Sequence, residues 1–343
     1  MTREPLEPLR IGVVGVGHLG ALHTKMLADL PSVRLAGVYD VRPERAAAVA
    51  AEFHTTAYPS VAALLAVTEA VTIATVTTSH YDVAREALIA GRHVFIEKPV
   101  TETVAQAEEL CRLGRERTLV LQVGHIERFN PAILALGDRP IRPMFVESHR
   151  LAQFNPRGTD VAVVLDLMIH DIDIILSFVR SPVVRIDANG VAVVSDSIDI
   201  ANARLQFENG CVANVTASRI SQRKMRKMRL FQPSEYIAID FLDGSAEVFR
   251  LDGGNADPGP GVMSLGEIGS GANRRRLLYE QPPVRDVNSL RHELDLFAAA
   301  VRTGAEPLVS GEDGRRALEV ANSIMDVIAR NTVSLERGWK TGV

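Results

Sequence analysis

The sequence is poor in cysteine and has no long apolar run. Only two of its 343 residues are cysteines, Cys111 and Cys211, which lie far apart and outside any CxxC or histidine-rich pattern. We therefore expect two buried thiols rather than a disulfide framework or a zinc site, and we predict no bound metal. No stretch approaches the ~18 apolar residues of a membrane span, and the amino terminus lacks the apolar core of a signal peptide. These absences predict a cytoplasmic protein.

An excess of positive charge is also missing. The formal net charge is −4 and the isoelectric point is about 6.2, so electrostatics give no reason to expect a nucleic-acid or membrane partner. Hydrophobic residues make up 46% and charged residues 23% of the chain, close to the average for globular proteins. A chain of 343 residues is long enough for two domains, each with its own core. Small molecules are the expected ligands.

The first ~120 residues alternate apolar strand-like runs with amphipathic helical stretches, which is typical of a parallel sheet covered on both faces. The predicted strands are Ile11 to Val14, Arg34 to Tyr39, Ala70 to Val76, Val94 to Ile96 and Leu119 to Val123. The predicted helices are Leu19 to Leu30, Pro43 to Phe53, Tyr81 to Ala90 and Val104 to Leu113. Residues 1–124 should form an α/β domain of the Rossmann type, with a doubly wound parallel sheet.

From about residue 145 the runs become longer and alternate with period two, which indicates antiparallel strands. The predicted strands are Val184 to Val194, Ile198 to Phe207, Cys211 to Arg219 and Tyr236 to Phe241, and the predicted helices are Pro156 to Val179, Ser289 to Val301 and Glu312 to Ala329. Residues 125–343 should form an α+β domain with a large, mostly antiparallel open sheet. Its segment from Gly253 to Asn273 is rich in Gly, Pro and Ser and should be an exposed loop, either a plain excursion or a lid.

A glycine-rich motif, Gly15-x-Gly17-x-x-Gly20, follows the first strand and opens the first helix. Such glycines make a tight turn, admit a pyrophosphate and let the helix pack closely, while the helix amino terminus receives the phosphates. Asp40 ends the second strand, where a carboxylate binds the ribose hydroxyls and favours NAD. Arg42 leaves NADP open, because an arginine there can neutralise a 2′-phosphate.

Two further groups of residues carry possible chemistry. Lys98, in Glu97-Lys98-Pro99, follows a strand, where it could stabilise an alkoxide beside a nicotinamide or simply form an exposed ion pair. Asp166 and His170 are four residues apart on an apolar helix, so that the carboxylate can orient the imidazole. Together they indicate an oxidoreductase whose site draws on both domains.

These motifs together resemble the Gfo/Idh/MocA family of sugar and polyol oxidoreductases along essentially the whole chain. The resemblance lies in the glycine motif with His18, Leu19 and His23, in Thr77-Thr78-Ser79-His80, in Glu97-Lys98-Pro99, in Asp166 with His170, in Asp171-x-Asp173, and in Ser310 to Gly314. It implies that Lys98 is the active-site lysine, His170 the acid/base residue and Asp166 its partner. The cofactor-binding residues are expected to be Gly15, Gly17, His18, Leu19, Gly20, Asp40, Arg42, Thr75, Thr77, His80, Glu97 and Lys98. The threonines could equally be exposed turn residues.

A narrower resemblance is to bacterial enzymes that oxidise the C3 hydroxyl of UDP-N-acetylglucosamine for lipid A synthesis, where an aminotransferase uses the product. It lies in Gly124 to Pro131, Pro156 to Asp160 and Ser218 to Lys227. It implies NAD as cofactor and a UDP-sugar substrate contacted by Lys98, Arg128, Asn130, Arg157, Asp166 and His170. Another sugar or polyol dehydrogenase, of inositol or aldose type, and a non-catalytic NAD-binding regulator remain alternatives, and whether Lys98 or His170 is the immediate base stays open.

The run Arg219 to Arg229 holds six basic residues among eleven. It could bind the diphosphate of a nucleotide sugar, or it could be a solvated strand face or a dimer rim. An open antiparallel sheet with one apolar face is commonly covered by a second subunit, so we expect a homodimer or homotetramer.

Overall fold

The computed structural model describes residues 7–155, 161–254 and 259–341, with the side chains of residues 272 and 332–341 left undescribed. Within this part the chain divides into two compact units. The first contains residues 7–129 and 288–318, and the second contains the described residues of 130–287 and 319–341. Each unit has its own sheet.

The first unit is built on a parallel sheet with strand order β2-β1-β3-β4-β5. Its strands are β1 (Leu9–Val14), β2 (Val33–Tyr39), β3 (Ala70–Ile73), β4 (His93–Glu97) and β5 (Leu121–Gly124). Nearly all residues of β3, β4 and β5 are buried, as expected for strands covered on both faces. The carboxyl ends of the five strands lie along one edge of the sheet, and every candidate cofactor residue is on or just after these ends.

Helices connect these strands as the sequence predicts, with one short addition. They are α1 (His18–Ala28), α2 (Pro43–Glu52), α3 (Val61–Leu65), α4 (His80–Ile89) and α5 (Val104–Glu116). Local chemistry fixes their starts: Thr103 and Gln106 form a reciprocal capping box at α5, and the Ser60 side chain caps the unpredicted α3. These caps satisfy amides that have no partner inside the helix.

The second unit is built on a nine-stranded sheet with order β13-β14-β12-β11-β10-β6-β9-β8-β7, antiparallel except for the pair β6 and β9. Its strands are β6 (Phe145–Leu151), β7 (Val183–Val191), β8 (Ile200–Phe207), β9 (Val212–Ser218), β10 (Met225–Gln232), β11 (Glu235–Asp240), β12 (Ser245–Asp252), β13 (Val262–Ile268) and β14 (Arg275–Glu280). The mostly antiparallel sheet is confirmed. The prediction of a loop over Gly253 to Asn273 is wrong at β13, which pairs with β14 as an exposed edge strand. Residues 255–258 of that segment lie outside the described chain.

Four more helices complete the described chain: α6 (Pro131–Ala135), α7 (Ile169–Val179), α8 (Ser289–Thr303) and α9 (Gly311–Thr341). The carbonyl of Leu176 accepts the amide of Arg180, which closes α7 in the left-handed conformation, and Gly304 closes α8 in the same way. No helix among the described residues is both long enough and apolar enough to cross a bilayer.

The sequence-based domain boundary differs from the division in the structure. The first unit extends to residue 129 rather than 124, and it also includes residues 288–318 from the carboxyl-terminal part of the chain. The physical reason is α8, whose buried Leu294 and Phe297 join the apolar core of β1, α1 and Phe95. The rings of Phe297 and Phe95 meet edge to face, with their centroids 5.7 Å apart.

Candidate active site

The glycine-rich turn after β1 has the shape that a dinucleotide requires. Gly15 has a φ of +81°, and a Cβ on it would lie 2.7 Å from the Thr75 methyl. A Cβ on Gly20 would lie 1.8 Å from the Gly15 carbonyl oxygen, so this glycine lets α1 pack against the turn. A Cβ on Gly17 would meet nothing within 4 Å, so open space lies beside the amino terminus of α1. That space fits a pyrophosphate on the helix amides.

His18 and Leu19 form the first turn of α1, which carries no acidic residue and no side-chain cap. An uncapped amino terminus leaves its amides available, and the helix dipole favours an anion there. Leu19 is 38% exposed. Both residues therefore lie where the sequence predicts cofactor contacts.

Asp40 links the end of β2 to the glycine turn. One carboxylate oxygen accepts the Val16 amide at 2.9 Å and the other accepts the Arg42 amide at 3.0 Å. The Arg42 guanidinium lies 3.7 Å from the same carboxylate, with 57% of its side chain exposed. These bonds fix the carboxylate at the edge of the sheet, and each oxygen retains a lone pair for a ribose hydroxyl.

Thr75 and Thr77 follow β3, where the strand ends at Ile73 instead of the predicted Val76. Both are partly exposed, and Thr77 begins a short 3₁₀ turn over Thr77–Ser79. His80, by contrast, is 1% exposed. Its Nδ1 lies 2.9 Å from the Pro99 carbonyl oxygen and its Nε2 lies 3.2 Å from that of Thr75. His80 thus ties the turn after β3 to the turn that carries Lys98.

Burial lowers the pKa of His80, and the hydrogen bonds to the Pro99 and Thr75 carbonyls offset part of that effect. A neutral ring has one N–H group and can donate to one of the two carbonyls, whereas a ring protonated on both nitrogens can donate to both.

Lys98 follows the last residue of β4, and its neighbours hold it from two sides. The Glu97 carboxylate is buried, and its Oε1 lies at hydrogen-bonding distance, 2.9 Å, from the His23 Nε2. A Cβ on Gly124 would lie 2.9 Å from that carboxylate, so the end of β5 leaves room for it. His23 on α1 therefore holds the side chain of Glu97 and His80 on α4 holds the backbone at Pro99. Lys98, between them, is partly exposed.

Asp166 and His170 lie in the second unit, and the helix that carries them is not the regular one predicted. Val161 and Ala162 are not helical, and a π-turn covers Val164–Met168 before α7 begins at Ile169. The Ile169 amide bonds to the Val164 carbonyl five residues earlier. The predicted start at Pro156 is thus corrected to Val163; residues 156–160 lie outside the described chain. Single π-turns within helices are rare and frequently occur at functional sites.

Three of the predicted substrate-binding residues, Arg128, Asn130 and Arg157, differ in where they lie. Arg128 lies in a 3₁₀ turn after β5 with 12% of its side chain exposed, and its guanidinium is 4.0 Å from Asp313. Asn130 caps α6: its Oδ1 accepts the Ala132 amide at 3.0 Å and its Nδ2 donates to the Phe241 carbonyl at 3.1 Å. The fold therefore gives Asn130 a structural role. Arg157 lies outside the described residues.

The basic run from Arg219 to Arg229 divides in the structure. Arg219 is 5% exposed and bonds to Asp199, whereas Lys227 pairs with Asp240 and Arg229 pairs with Glu147 on the open sheet face. The last two fit the alternative of a solvated strand face or a dimer rim. Arg223 and Lys224 are exposed in the turn between β9 and β10.

Five buried charged residues belong to the described part of the second unit: Arg150, Asp171, Asp173, Asp199 and Arg219. Arg150 and Asp199 belong to none of the motifs found in the sequence. The signal for Arg150 is its position, because Val146, Ser148 and Arg150 are the buried side of an alternating strand. A charge at such a position requires a buried partner. No group of three metal-ligating side chains occurs among the described residues.

A parallel sheet, a glycine turn at the β1/β3 switch point and a carboxylate at the end of β2 define a dinucleotide-binding unit. Residues 9–125 match the model of the oxidoreductase family with an NAD-binding Rossmann fold, Gfo/Idh/MocA, and residues 142–235 match that family's C-terminal domain. The chain belongs to this family.

Three individual comparisons add detail. The chain is 39% identical to a UDP-N-acetylglucosamine 3-dehydrogenase of Acidithiobacillus ferrooxidans over 91% of its own length and 95% of that protein. A solved structure of a UDP-N-acetylglucosamine 3-dehydrogenase from that organism superposes with a TM-score of 0.83, at 37% identity and over 94% and 98% of the two chains. An inositol 2-dehydrogenase of Rhizobium meliloti is 26% identical over 94% of this chain and 97% of that one.

Proposed function

We propose that this protein uses NAD to oxidise the C3 hydroxyl of UDP-N-acetylglucosamine to a 3-keto sugar. The observation that carries the proposal is the 39% identity to a protein named for that reaction over 91% of the chain. The inositol dehydrogenase is more distant, at 26% identity. A lysine at the end of β4, on the sheet edge that carries the glycine turn, supplies the chemistry that a dehydrogenase needs.

In this proposal the glycine turn, the amino terminus of α1 and Asp40 hold the cofactor. NAD, when bound, accepts the hydride. The amides of His18 and Leu19 bind the pyrophosphate, and the Asp40 carboxylate accepts hydrogen bonds from the ribose hydroxyls. We favour NAD over NADP because a 2′-phosphate would stand against the Asp40 carboxylate, which is already held in place by two backbone amides.

Lys98, His170 and Asp166 divide the work on the hydroxyl. The Lys98 ammonium donates a hydrogen bond to the C3 oxygen and stabilises its developing negative charge. His170 accepts the hydroxyl proton, and Asp166 orients the imidazole and stabilises its charged form. Arg128 and Arg157 are the proposed partners of the diphosphate, since guanidinium groups bind phosphate oxygens in a bidentate manner.

The product of this reaction is a ketone at C3 of a nucleotide sugar. An aminotransferase is the class of enzyme that would convert it to a 3-amino sugar, and we propose lipid A synthesis as the setting. NAD and nucleotide sugars are both cytoplasmic metabolites, so we place the reaction in the cytoplasm.

A panel of substrates tests the proposal. Purified protein with NAD should form NADH with UDP-N-acetylglucosamine, and mass spectrometry should show a product two hydrogens lighter. Parallel reactions with NADP, UDP-galactose, inositol and glucose should be slower by about 10-fold or more, because each lacks a group that the site binds or adds one that it excludes. Faster NADH formation with inositol or glucose would favour the polyol or aldose alternative, and no reduction with any substrate despite NAD binding would favour a regulator.

We further propose that the protein is a homo-oligomer, dimer or tetramer, associating through the open face of its large sheet. On the face opposite the buried one, aromatic rings from five adjacent strands form a row with centroid separations of 5.0 to 5.7 Å. The row consists of Phe145, Phe231, Tyr236, Phe249 and Tyr279. Contiguous apolar surface of this kind is typical of subunit interfaces.

Light scattering at micromolar concentration should give a mass of at least twice 37.3 kDa. Replacing Phe231 and Phe249 together by glutamate should shift the protein to the monomer, because two carboxylates would be desolvated in the interface. Glutamate at the exposed Met144, outside the row, is the control. A wild-type monomer would contradict the proposal.

A further inference from the structure

The segment that carries Asp166 and His170 is held at both ends by buried arginine–aspartate pairs. At its start, the Arg219 Nη1 donates to the Val161 carbonyl at 2.7 Å. The Val163 amide donates to the Ile198 carbonyl at 2.9 Å. Both contacts fix the backbone immediately before the π-turn.

The first pair, Arg219 with Asp199, is built as a rigid support. Asp199 is fully buried and Arg219 is 5% exposed, with Nε 3.0 Å from the carboxylate. The same guanidinium also donates to the Ile198 carbonyl at 2.9 Å. Because its five N–H groups form a planar fork, one side chain can hold Asp199, Ile198 and Val161 at once.

Asp199 in turn fixes the loop on which Arg219 rests. One of its oxygens accepts the amides of Val193, Val194 and Ser195 at 2.8, 2.7 and 3.0 Å. Burial by itself would raise the pKa of Asp199, but these bonds and that of the Ser195 hydroxyl outweigh it and hold the pKa well below its usual range. The carboxylate therefore stays charged, and its bonds tie the loop before β8 to Arg219.

The second pair, Arg150 with Asp171, acts at the other end. Asp171 is the residue directly after His170. Its carboxylate accepts hydrogen bonds from the Arg150 Nε at 2.7 Å and from the Arg150 Nη2 at 3.2 Å. Both side chains are 2% exposed. The Arg150 guanidinium also lies 5.7 Å from the centre of the Phe241 ring. The bond joins β6 to the first turn of α7 in a fixed bidentate geometry.

Stability alone does not account for two such pairs. A buried ion pair is often no more stabilising than apolar residues of the same volume, because both charges must leave water. Its directional bonds, however, allow only one rotation of the helix about its axis. The π-turn holds one residue more than an α-turn, and a shift to an unbroken α-helix would turn the following residues by about 100°. His170 would then face another direction.

We propose that Arg219 with Asp199 and Arg150 with Asp171 are positioning residues that keep the π-turn in register and so aim Asp166 and His170 at the substrate hydroxyl. The inference rests on the proposed function for the role of His170. The pairs themselves touch the backbone of the segment or the residue beside His170, and they act through it.

Two variants separate positioning from stability. Arg150→Met with Asp171→Leu removes the second pair but keeps its volume apolar. Arg219→Lys keeps the charge but loses the fork, so it can no longer hold Asp199, Ile198 and Val161 together. Arg139→Met is the matched control, because Arg139 makes two ion pairs elsewhere in the same unit, with Glu235 and Glu280.

Hydrogen exchange of residues 163–172, followed by mass spectrometry, should become faster by about 10-fold or more in both variants and not in the control, because the turn opens more often. With UDP-N-acetylglucosamine, kcat should fall by about 10- to 100-fold with KM changed less than about 3-fold, since the loss concerns the transition state. The acid limb of the kcat profile should also shift, because the proposed acid/base group no longer keeps its surroundings.

Exchange, kcat and pH profiles equal to those of Arg139→Met would overturn the proposal. If the double variant does not fold, Arg219→Lys decides by the same measurements. If the wild type does not oxidise UDP-N-acetylglucosamine, the proposed function fails, while the exchange of residues 163–172 still reports whether the pairs hold the turn.

Discussion

Replacing Lys98 by methionine should reduce turnover by about 10³-fold, because the C3 oxygen then develops its negative charge without the ammonium that stabilises it. Binding of NAD should change by less than about 2-fold. The adenosine and pyrophosphate contacts come from the glycine turn and Asp40, which the substitution leaves in place. Steady-state NADH formation gives the first quantity and titration calorimetry with NAD gives the second.

Lys25→Met is the control for that measurement, since Lys25 is an exposed lysine in the last turn of α1, in the same unit. It should keep wild-type turnover. Undiminished turnover in Lys98→Met would remove the lysine from the mechanism. Loss of NAD binding in that variant would instead assign Lys98 to the cofactor alone.

Two glycines of the same turn should respond in opposite ways to a single added methyl group. Gly20→Ala places its Cβ 1.8 Å from the Gly15 carbonyl oxygen, so the backbone must move. We expect the free energy of unfolding to fall by about 1–3 kcal/mol. Gly17→Ala meets nothing within 4 Å and has an ordinary φ of −58°, so its stability should be that of the wild type.

The affinity for NAD should nevertheless fall by about 10-fold or more in Gly17→Ala, because the methyl group takes the space through which the pyrophosphate approaches the amides. Denaturant unfolding and calorimetry separate the two effects. Wild-type affinity in Gly17→Ala would show that this open space does not receive the phosphates. Wild-type stability in Gly20→Ala would show that the turn can relax around the added group.

The first unit could be predicted well from the sequence because its signals are local. Apolar runs, helix starts and the glycine motif each act over a few residues, and the predicted strands and helices lie within a few residues of those observed. The strand expected to reach Val76 ends at Ile73, and a 3₁₀ turn follows at Thr77–Ser79. The return of α8 to this unit depends on Leu294 and Phe297 meeting Phe95, a long-range contact that no local pattern reveals.

The second unit was harder to predict for a related reason. Five strands have charged or exposed residues at both odd and even positions, so their sequences lack the alternation that marks a half-buried strand: β6, β10, β12, β13 and β14. β13 also pairs on one side only. Arg150 and Arg219 look like surface residues in the sequence, yet both are buried because partners distant in the chain, Asp171 and Asp199, neutralise them. The π-turn likewise has no sequence signature and follows from how the segment is held.

The late position of α8 in the sequence also affects when the newly made chain can fold. A ribosome releases the glycine turn, Asp40 and Lys98 early, but the apolar surface of α1 and Phe95 stays uncovered until Leu294 and Phe297 have emerged. The large sheet is synthesised in between. Residues 319–341 of the second unit emerge later still, so we expect neither unit to complete its core until the end of translation.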